Sequence, residues 1–485
     1  MSDLICVFDV GTTGTRTAIF DIEGKVVAKA YEEYRIPRQP FGISEQDPEL
    51  WWNAIKNTCR IAVKKVNQDD IIGITGSFLR STATVIDRGG TALHPALTWM
   101  DEREETTAQN WDADADLRRV INKVNWIKKN KPDLFNKADK VITPDAYIYV
   151  KLCNRCVTDP TNGIWGILNK SSLKWDEQLA ELYGLPIDLW PDLFSPGDVI
   201  GDLNSDVAAD LNLKNNIPVI VGGGDQQCSA LGLGTIHNGE AKVTTGTGTF
   251  VDYIVDKPVE IAGDLPIFSL PSVIKGIWNI EGAIPGTGTA LKWFKDNFSQ
   301  LQIKESQERN LDVYDILTEE ASSVPPGSEG LLFIPLYIFR KGTIHGIGWN
   351  HDRGHMIRAI MECAALSANM YASLLEGVAK SRPNEIKVDG GAMNSSLWAQ
   401  MFADIMSKEI LVSEVKDGAA LGAAILGFYG CNKYTSFDKA IESMVRFSDR
   451  KEPDKENTKI YKKLKRIFMP TLLGVYQNKR VTKDL

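Results

Sequence analysis

The chain has 485 residues, too many for one hydrophobic core, and its 43% apolar and 24% charged content is that of a globular protein. A net charge of −8 argues against a general nucleic-acid or membrane-surface binder. No apolar run is long enough to span a bilayer, and seven thinly spread cysteines, an odd number, point to reduced thiols in a cytoplasmic protein. Residues 4–9 read as a buried strand entered directly, without a signal peptide, followed by strands at 15–21 and 25–34. Between the first two lies the segment 9–16, Asp-Val-Gly-Thr-Thr-Gly-Thr-Arg. Its free N–H groups and hydroxyls suit phosphate oxygens, and Arg16 could add charge. Asp9 suits Mg²⁺, directly or through water. An ordinary hairpin turn accounts for the same residues equally well.

Residues 49–66 predict a helix, with Asp47 as its cap and Pro48 in its first turn. Short strands follow at 71–75 and 83–86, the second closed by Asp-Arg-Gly-Gly at 87–90. Residues 95–99 lead into Met100, Asp101 and Glu102, and mixed, largely helical chain continues to 159. Cys153 and Cys156 have CxxC spacing, but with no second pair they read as structural thiols.

The most informative stretch is 219–227, Val-Ile-Val-Gly-Gly-Gly-Asp-Gln-Gln. A β-branched strand ends in three glycines that allow a sharp turn and a close approach. Asp225 is thereby held at a strand's C-terminal edge, facing a crevice. Residues 218–222 and 241–245 begin a second set of strands, and Thr-Thr-Gly-Thr-Gly-Thr at 244–249 echoes the loop at 11–15. The echo suggests a duplicated core with a cleft between its halves.

Residues 282–298 turn from a Gly/Thr-rich loop into an amphipathic helix, and a loop at 325–330 precedes the apolar run 331–338. His351 and His355 have helix-face spacing, but Gly354 opposes a helix there, so 351–355 reads as a polar loop before a long apolar helix at 356–378. A strand at 386–388 ends in Asp-Gly-Gly-Ala at 389–392. The small-residue helix from 414–422 to about 429 would admit either a nucleotide base or a close helix neighbour. The charged tail at 450–483 reads as a solvated helix.

Five segments in order resemble the FGGY carbohydrate kinases across almost the whole chain: 9–16, Glu-Gln-Asp-Pro at 45–48, Gly-Gly-Gly-Asp at 222–225, 244–249, and 389–392 with Gly-Ala-Ala-Leu-Gly-Ala-Ala at 418–424. The resemblance implies an α/β fold of two actin-like, ribonuclease H-like domains, 1–236 and 237–485, closing over an ATP/sugar cleft. It implies ATP and Mg²⁺ as cofactors and transfer of the γ-phosphoryl group to a hydroxyl of a small sugar or polyol. A homodimer is compatible with it.

By the same resemblance Asp225 is the general base. Gly11, Thr12, Thr13 and Arg16 meet the phosphates and metal from one side, Gly246 and Thr247 from the other, and Asp9 holds Mg²⁺. Gly390, Gly391 and Ala392 wall the adenosine pocket, with Gly288 near it. Arg80, Ser81, Trp99 and Gln226 join Asp225 on the acceptor side, with Asp101 close by.

That side departs from the family pattern. Ser81 falls where glycerol kinases carry a glutamate and xylulose kinases a histidine. The chain between Trp99 and Trp126 is short, and Tyr-Ile-Phe-Arg-Lys-Gly at 337–342 replaces the usual glycine-glutamate-arginine-threonine-proline. Asp-Pro-Thr-Asn at 159–162 resembles the kinases of the quorum signal dihydroxypentanedione, whereas Trp99 and Asp101 resemble xylulose and glycerol kinases. A ketopentose such as xylulose is the expected acceptor, with glycerol, erythritol or dihydroxypentanedione as alternatives. A catalytically silent sugar-binding regulator and an actin-like ATPase are the readings from other classes.

Overall fold

The computed structural model describes residues 3–36, 39–40, 42–103, 117–246, 248–261, 267–284, 286–336 and 341–479. Two seven-stranded sheets carry it. The first holds β1 (Leu4–Val10), β2 (Gly14–Asp21), β3 (Val26–Glu33), β4 (Ile71–Phe78), β5 (Val199–Asp202), β6 (Pro218–Ile220) and the short β7 (Gly223–Gly224). The second holds β8 (Ala241–Thr245), β9 (Thr249–Val255), β10 (Ile267–Pro271), β11 (Trp278–Ile284), β12 (Glu385–Asp389), β13 (Glu409–Ser413) and β14 (Phe447–Lys451). The first runs β5-β6-β4-β1-β2-β3, with β7 on β4, and the second β10-β11-β9-β8-β12-β13-β14.

The two pairing schemes match. In each sheet a hairpin opens the unit (β1 with β2, β8 with β9), and its outer strand takes an antiparallel neighbour. The inner strand pairs in parallel with β4 or β12, which pairs in parallel with β6 or β13, and an antiparallel strand follows. The faint echo of two threonine-glycine loops therefore marks a real duplication.

Local chemistry builds the elements as the sequence suggests. Helix α1 (Pro48–Val63) is capped by Asp47, whose side chain accepts from Glu49 N–H, and buries Trp51, Ile55, Cys59 and Ala62 along one face. Helix α2 (Asp225–Gly232) starts directly at the Gly-Gly-Gly turn, and α3 (Thr287–Phe298) follows β11. At Gly222 an added Cβ would lie 1.7 Å from the Gly76 carbonyl oxygen, so only glycine fits.

Three expectations need correction, and for the small-residue helix one of two open readings holds. Residues 282–284 close β11 rather than belonging to a loop. Helix α4 (Arg353–Ala379) starts three residues before the expected 356, because Asp352 caps it: its carboxylate accepts from His355 N–H at 3.1 Å and pairs with His355 Nδ1 at 2.7 Å. The glycines of α5 (Gly418–Gly430) serve a helix contact. Added Cβ atoms at Gly232 and Gly422 would lie 1.9 Å from Gly418 O and 1.8 Å from Cys228 O, so α2 and α5 touch backbone to backbone. Last, the charged tail is not simply solvated. It forms edge strand β14 and then α6 (Lys455–Lys479), whose Tyr461, Leu464 and Phe468 enter the core of the second half.

Candidate functional site

The site lies where the two hairpins and α2 converge. The hairpin turn at 11–14 is closed by Gly11 N–H donating to the Gly14 carbonyl at 3.0 Å. Thr12 is fixed from two sides: its hydroxyl accepts from the Trp99 indole at 2.8 Å, and its carbonyl from Gln46 Nε2 at 2.6 Å. Trp99 and the first phosphate-loop candidate are thus in contact. Thr13 is exposed, and its carbonyl accepts from Tyr34 N–H at 2.9 Å. Arg16 reaches across to Asp417, the N-cap of α5, with Asp9 Oδ2 4.0 Å away.

Asp9 lies one residue before the end of β1, next to this turn, its side chain 21% exposed. Burial raises its pKa most; Arg16 opposes this and the charge of Asp225 adds to it. The two carboxylates are therefore near enough for the charge of one to act on the other. Asp9, with Arg16 4.0 Å away, is a hard oxygen donor of the kind that suits Mg²⁺, whereas one oxygen of Asp225 is already taken by Arg80.

On the other side Gly246 sits in the β8–β9 turn, its N–H bonded to Gly248 O at 2.8 Å; an added Cβ would meet nothing within 4 Å. Thr247 lies outside the described residues. Gly390, at φ +95°, presses on the same turn: an added Cβ would lie 2.4 Å from Thr245 O. Gly391 is exposed and Ala392 half-buried beside it. Thr287 bonds Thr249 at 2.8 Å, which sets Gly288 and the start of α3 against the hairpin. The structure therefore brings Gly246, Gly288 and residues 390–392 together.

Asp225 begins α2, one-third exposed (32%). Its Oδ1 accepts from Gln226 N–H at 2.8 Å and from Arg80 Nε at 3.0 Å. Arg80 is a buried residue, not a surface ion-pair partner: its Nη1 meets Gln227 Oε1 at 3.3 Å and its Nη2 meets Glu281 Oε1 at 2.9 Å. Its guanidinium carbon lies 5.7 Å from the centre of the Trp165 ring. Burial opposes the Arg80 charge, but Glu281 and Asp225 outweigh it and hold the pKa above the usual arginine value. Ser81 is buried with φ +56°, an unusual backbone for serine and a local strain beside the clamp. Gln226 is buried, and its Oε1 accepts from Lys242 at 2.8 Å. Asp101 is consumed elsewhere, by Ser44 N–H and Arg103, so it presents nothing to an acceptor.

Several residues of this site went unremarked in the sequence: Glu281, Lys242 with Asp252, Asp417 and Trp165. A single carboxylate in the apolar strand around Ile280, or a lysine inside Ala241–Thr245, was the available signal.

Comparison with known proteins decides the family. The family model for the N-terminal domain of the FGGY family of carbohydrate kinases matches residues 4–232, and that for its C-terminal domain matches 241–431. The chain belongs to the FGGY family of carbohydrate kinases. FGGY kinases are ATP-dependent sugar phosphotransferases that use Mg²⁺, and this chain is a carbohydrate kinase of that family. Among similar FGGY kinases, the gluconokinase of Bacillus subtilis (strain 168) is 29% identical over 493 residues, covering 97% of this chain and 95% of the relative. The xylulose kinase of the same organism is 28% identical over 508 residues, covering 98% and 97%. The crystal structure of gluconate kinase from Lactobacillus acidophilus superposes with a TM-score of 0.82 at 23% identity, covering 98% of both chains, a likeness of fold.

Proposed function

We propose that the chain transfers the γ-phosphoryl group of ATP to a hydroxyl of an open-chain sugar of five or six carbons, with Asp225 as the general base. The observation that carries this reading is the Asp225 carboxylate, open to the cleft yet clamped by Arg80 between two threonine-glycine hairpins. Asp225 would accept the acceptor's hydroxyl proton as the new O–P bond forms and the bond to ADP breaks, so no prior ionisation of the alcohol is needed. Thr12, Thr13, Arg16 and the backbone at Gly11 would orient the phosphates from one half, Gly246 and Thr247 from the other. Asp9 would hold Mg²⁺, which when bound neutralises charge on the transferring group. Gly390, Gly391 and Ala392, with Gly288, would wall the adenosine.

The acceptor side would use Arg80, Ser81, Trp99 and Gln226. A ketopentose such as xylulose is supported by the xylulose kinase relatives. Gluconate is the second reading, favoured by the gluconokinase relatives. The domain division at 236/237 is supported by the sheet strands, which fall wholly on either side of it. A cytoplasmic location is supported by seven cysteines that are all free thiols; no described helix is long and apolar enough to cross a membrane.

The test is Asp225→Asn. It should lose acceptor-dependent ADP release by about 10²- to 10⁴-fold while still binding ADP. Wild-type turnover in this variant removes Asp225 as the base. Acceptor-free ADP release as fast as the acceptor-dependent rate would favour an actin-like ATPase.

A further inference from the structure

Glu281 projects from β11 in the second half and is 2% exposed. Its Oε1 accepts from Arg80 Nη2 at 2.9 Å; its Oε2 is buried with no hydrogen-bond partner. Burial raises its pKa most, and Arg80 opposes this. A carboxylate there is costly, because an apolar side chain would fill the strand position without an unpaired oxygen.

Among the described residues the Arg80 guanidinium has three hydrogen-bond partners. Asp225 and Gln227 come from α2, and Glu281 alone comes from the second sheet. Without Glu281, the hydrogen bonds of the guanidinium among the described residues come only from the helix it is meant to orient, with the Trp165 ring beside it. A second route reaches the same place: Asp252 on β9 pairs with the buried Lys242 at 2.9 Å, and Lys242 holds Gln226, whose N–H holds Asp225. Both routes run from the second sheet to one carboxylate oxygen.

We propose that Glu281 is a positioning residue for phosphoryl transfer: it fixes Arg80 from the second half, and Arg80 sets the orientation of the Asp225 carboxylate. The base is then aligned only while the two sheets keep their register, which ties its geometry to the closure of the cleft. This inference rests on the reading of Asp225 as the base.

Glu281→Gln tests it, since it keeps the shape and an accepting oxygen but removes the charge. The acceptor-saturated kcat should fall about 10- to 100-fold, with KM for Mg-ATP changed less than about two-fold. Glu281→Asp should recover part of the loss. In an Arg80→Lys background, Glu281→Gln should add little, because the two residues act through one another. Unchanged kcat in Glu281→Gln, or an equal fold loss in both backgrounds, overturns the proposal. So does a loss of ADP affinity in parallel with kcat, which would mark a purely structural role. Asp225→Asn measured alongside separates the two readings. If it stays active, the base assignment fails. If it is dead while Glu281→Gln is fully active, only the positioning role fails.

Discussion

At the scale of single residues, the site is a set of charges placed by glycine turns. Arg80→Ala removes the Asp225 clamp and leaves Glu281 buried without its cation. It should lower kcat/KM for the acceptor by about 10²-fold or more, read by steady-state kinetics; a wild-type kcat/KM would contradict the clamp, and a parallel loss of ADP affinity would instead mark Arg80 as structural. Thr13→Ala, at an exposed turn position, should raise KM for Mg-ATP more than KM for the acceptor, and the opposite split contradicts a phosphate role. Asp225 was readable from sequence because strand, glycine turn and acid are contiguous. Glu281 was not, because its partner Arg80 is 201 positions away, and only folding places the two at 2.9 Å.

At the scale of elements, the turn that presents Asp225 is held from beneath. Gly224 N–H donates to the Thr161 hydroxyl at 2.7 Å, Thr161 is held by Asp159, and Gly222 N–H donates to the Tyr149 hydroxyl at 2.8 Å. On its far side α2 locks against α5 through Gly232, Gly418 and Gly422. Gly422→Ala would drive a methyl group into the Cys228 carbonyl. It should cost about 1–3 kcal/mol of stability, measured by denaturant midpoint, and lower kcat as α2 shifts. A wild-type midpoint would mean that the helices can separate freely. The small-residue pattern was visible in the sequence, but a base-binding surface and a close helix contact look alike there. The tail misled for a related reason: its charges conceal the spacing of Tyr461, Leu464 and Phe468, which packing reveals.

At the scale of the whole molecule, two copies of one sheet plan face a cleft that Arg80–Glu281 and Arg16–Asp417 bridge. Buried carboxyls come with this design. Asp145 is pushed up to about 7 by burial first and by the charge of Asp159 second. A raised folded-state pKa means that, between about pH 4 and pH 7, the unfolded chain releases a proton that the folded chain keeps. The contribution of Asp145 to stability is therefore full at low pH and lost as pH rises through that window. Asp145→Asn should flatten the fall of the unfolding midpoint across the same window; a slope parallel to the wild type contradicts the assignment. The duplication was legible in outline from the two threonine-glycine loops, whereas the bridges across the cleft depend on register and were not.

The most direct measurement is ADP release from Mg-ATP across a panel of D-xylulose, L-xylulose, D-ribulose, L-ribulose, gluconate, glycerol, erythritol and dihydroxypentanedione, with an acceptor-free control. The account predicts at least one acceptor, xylulose or gluconate first, turned over at about 1–100 s⁻¹, far above the control and lost in Asp225→Asn. A panel flat at the acceptor-free rate, or turnover that survives Asp225→Asn, would contradict it.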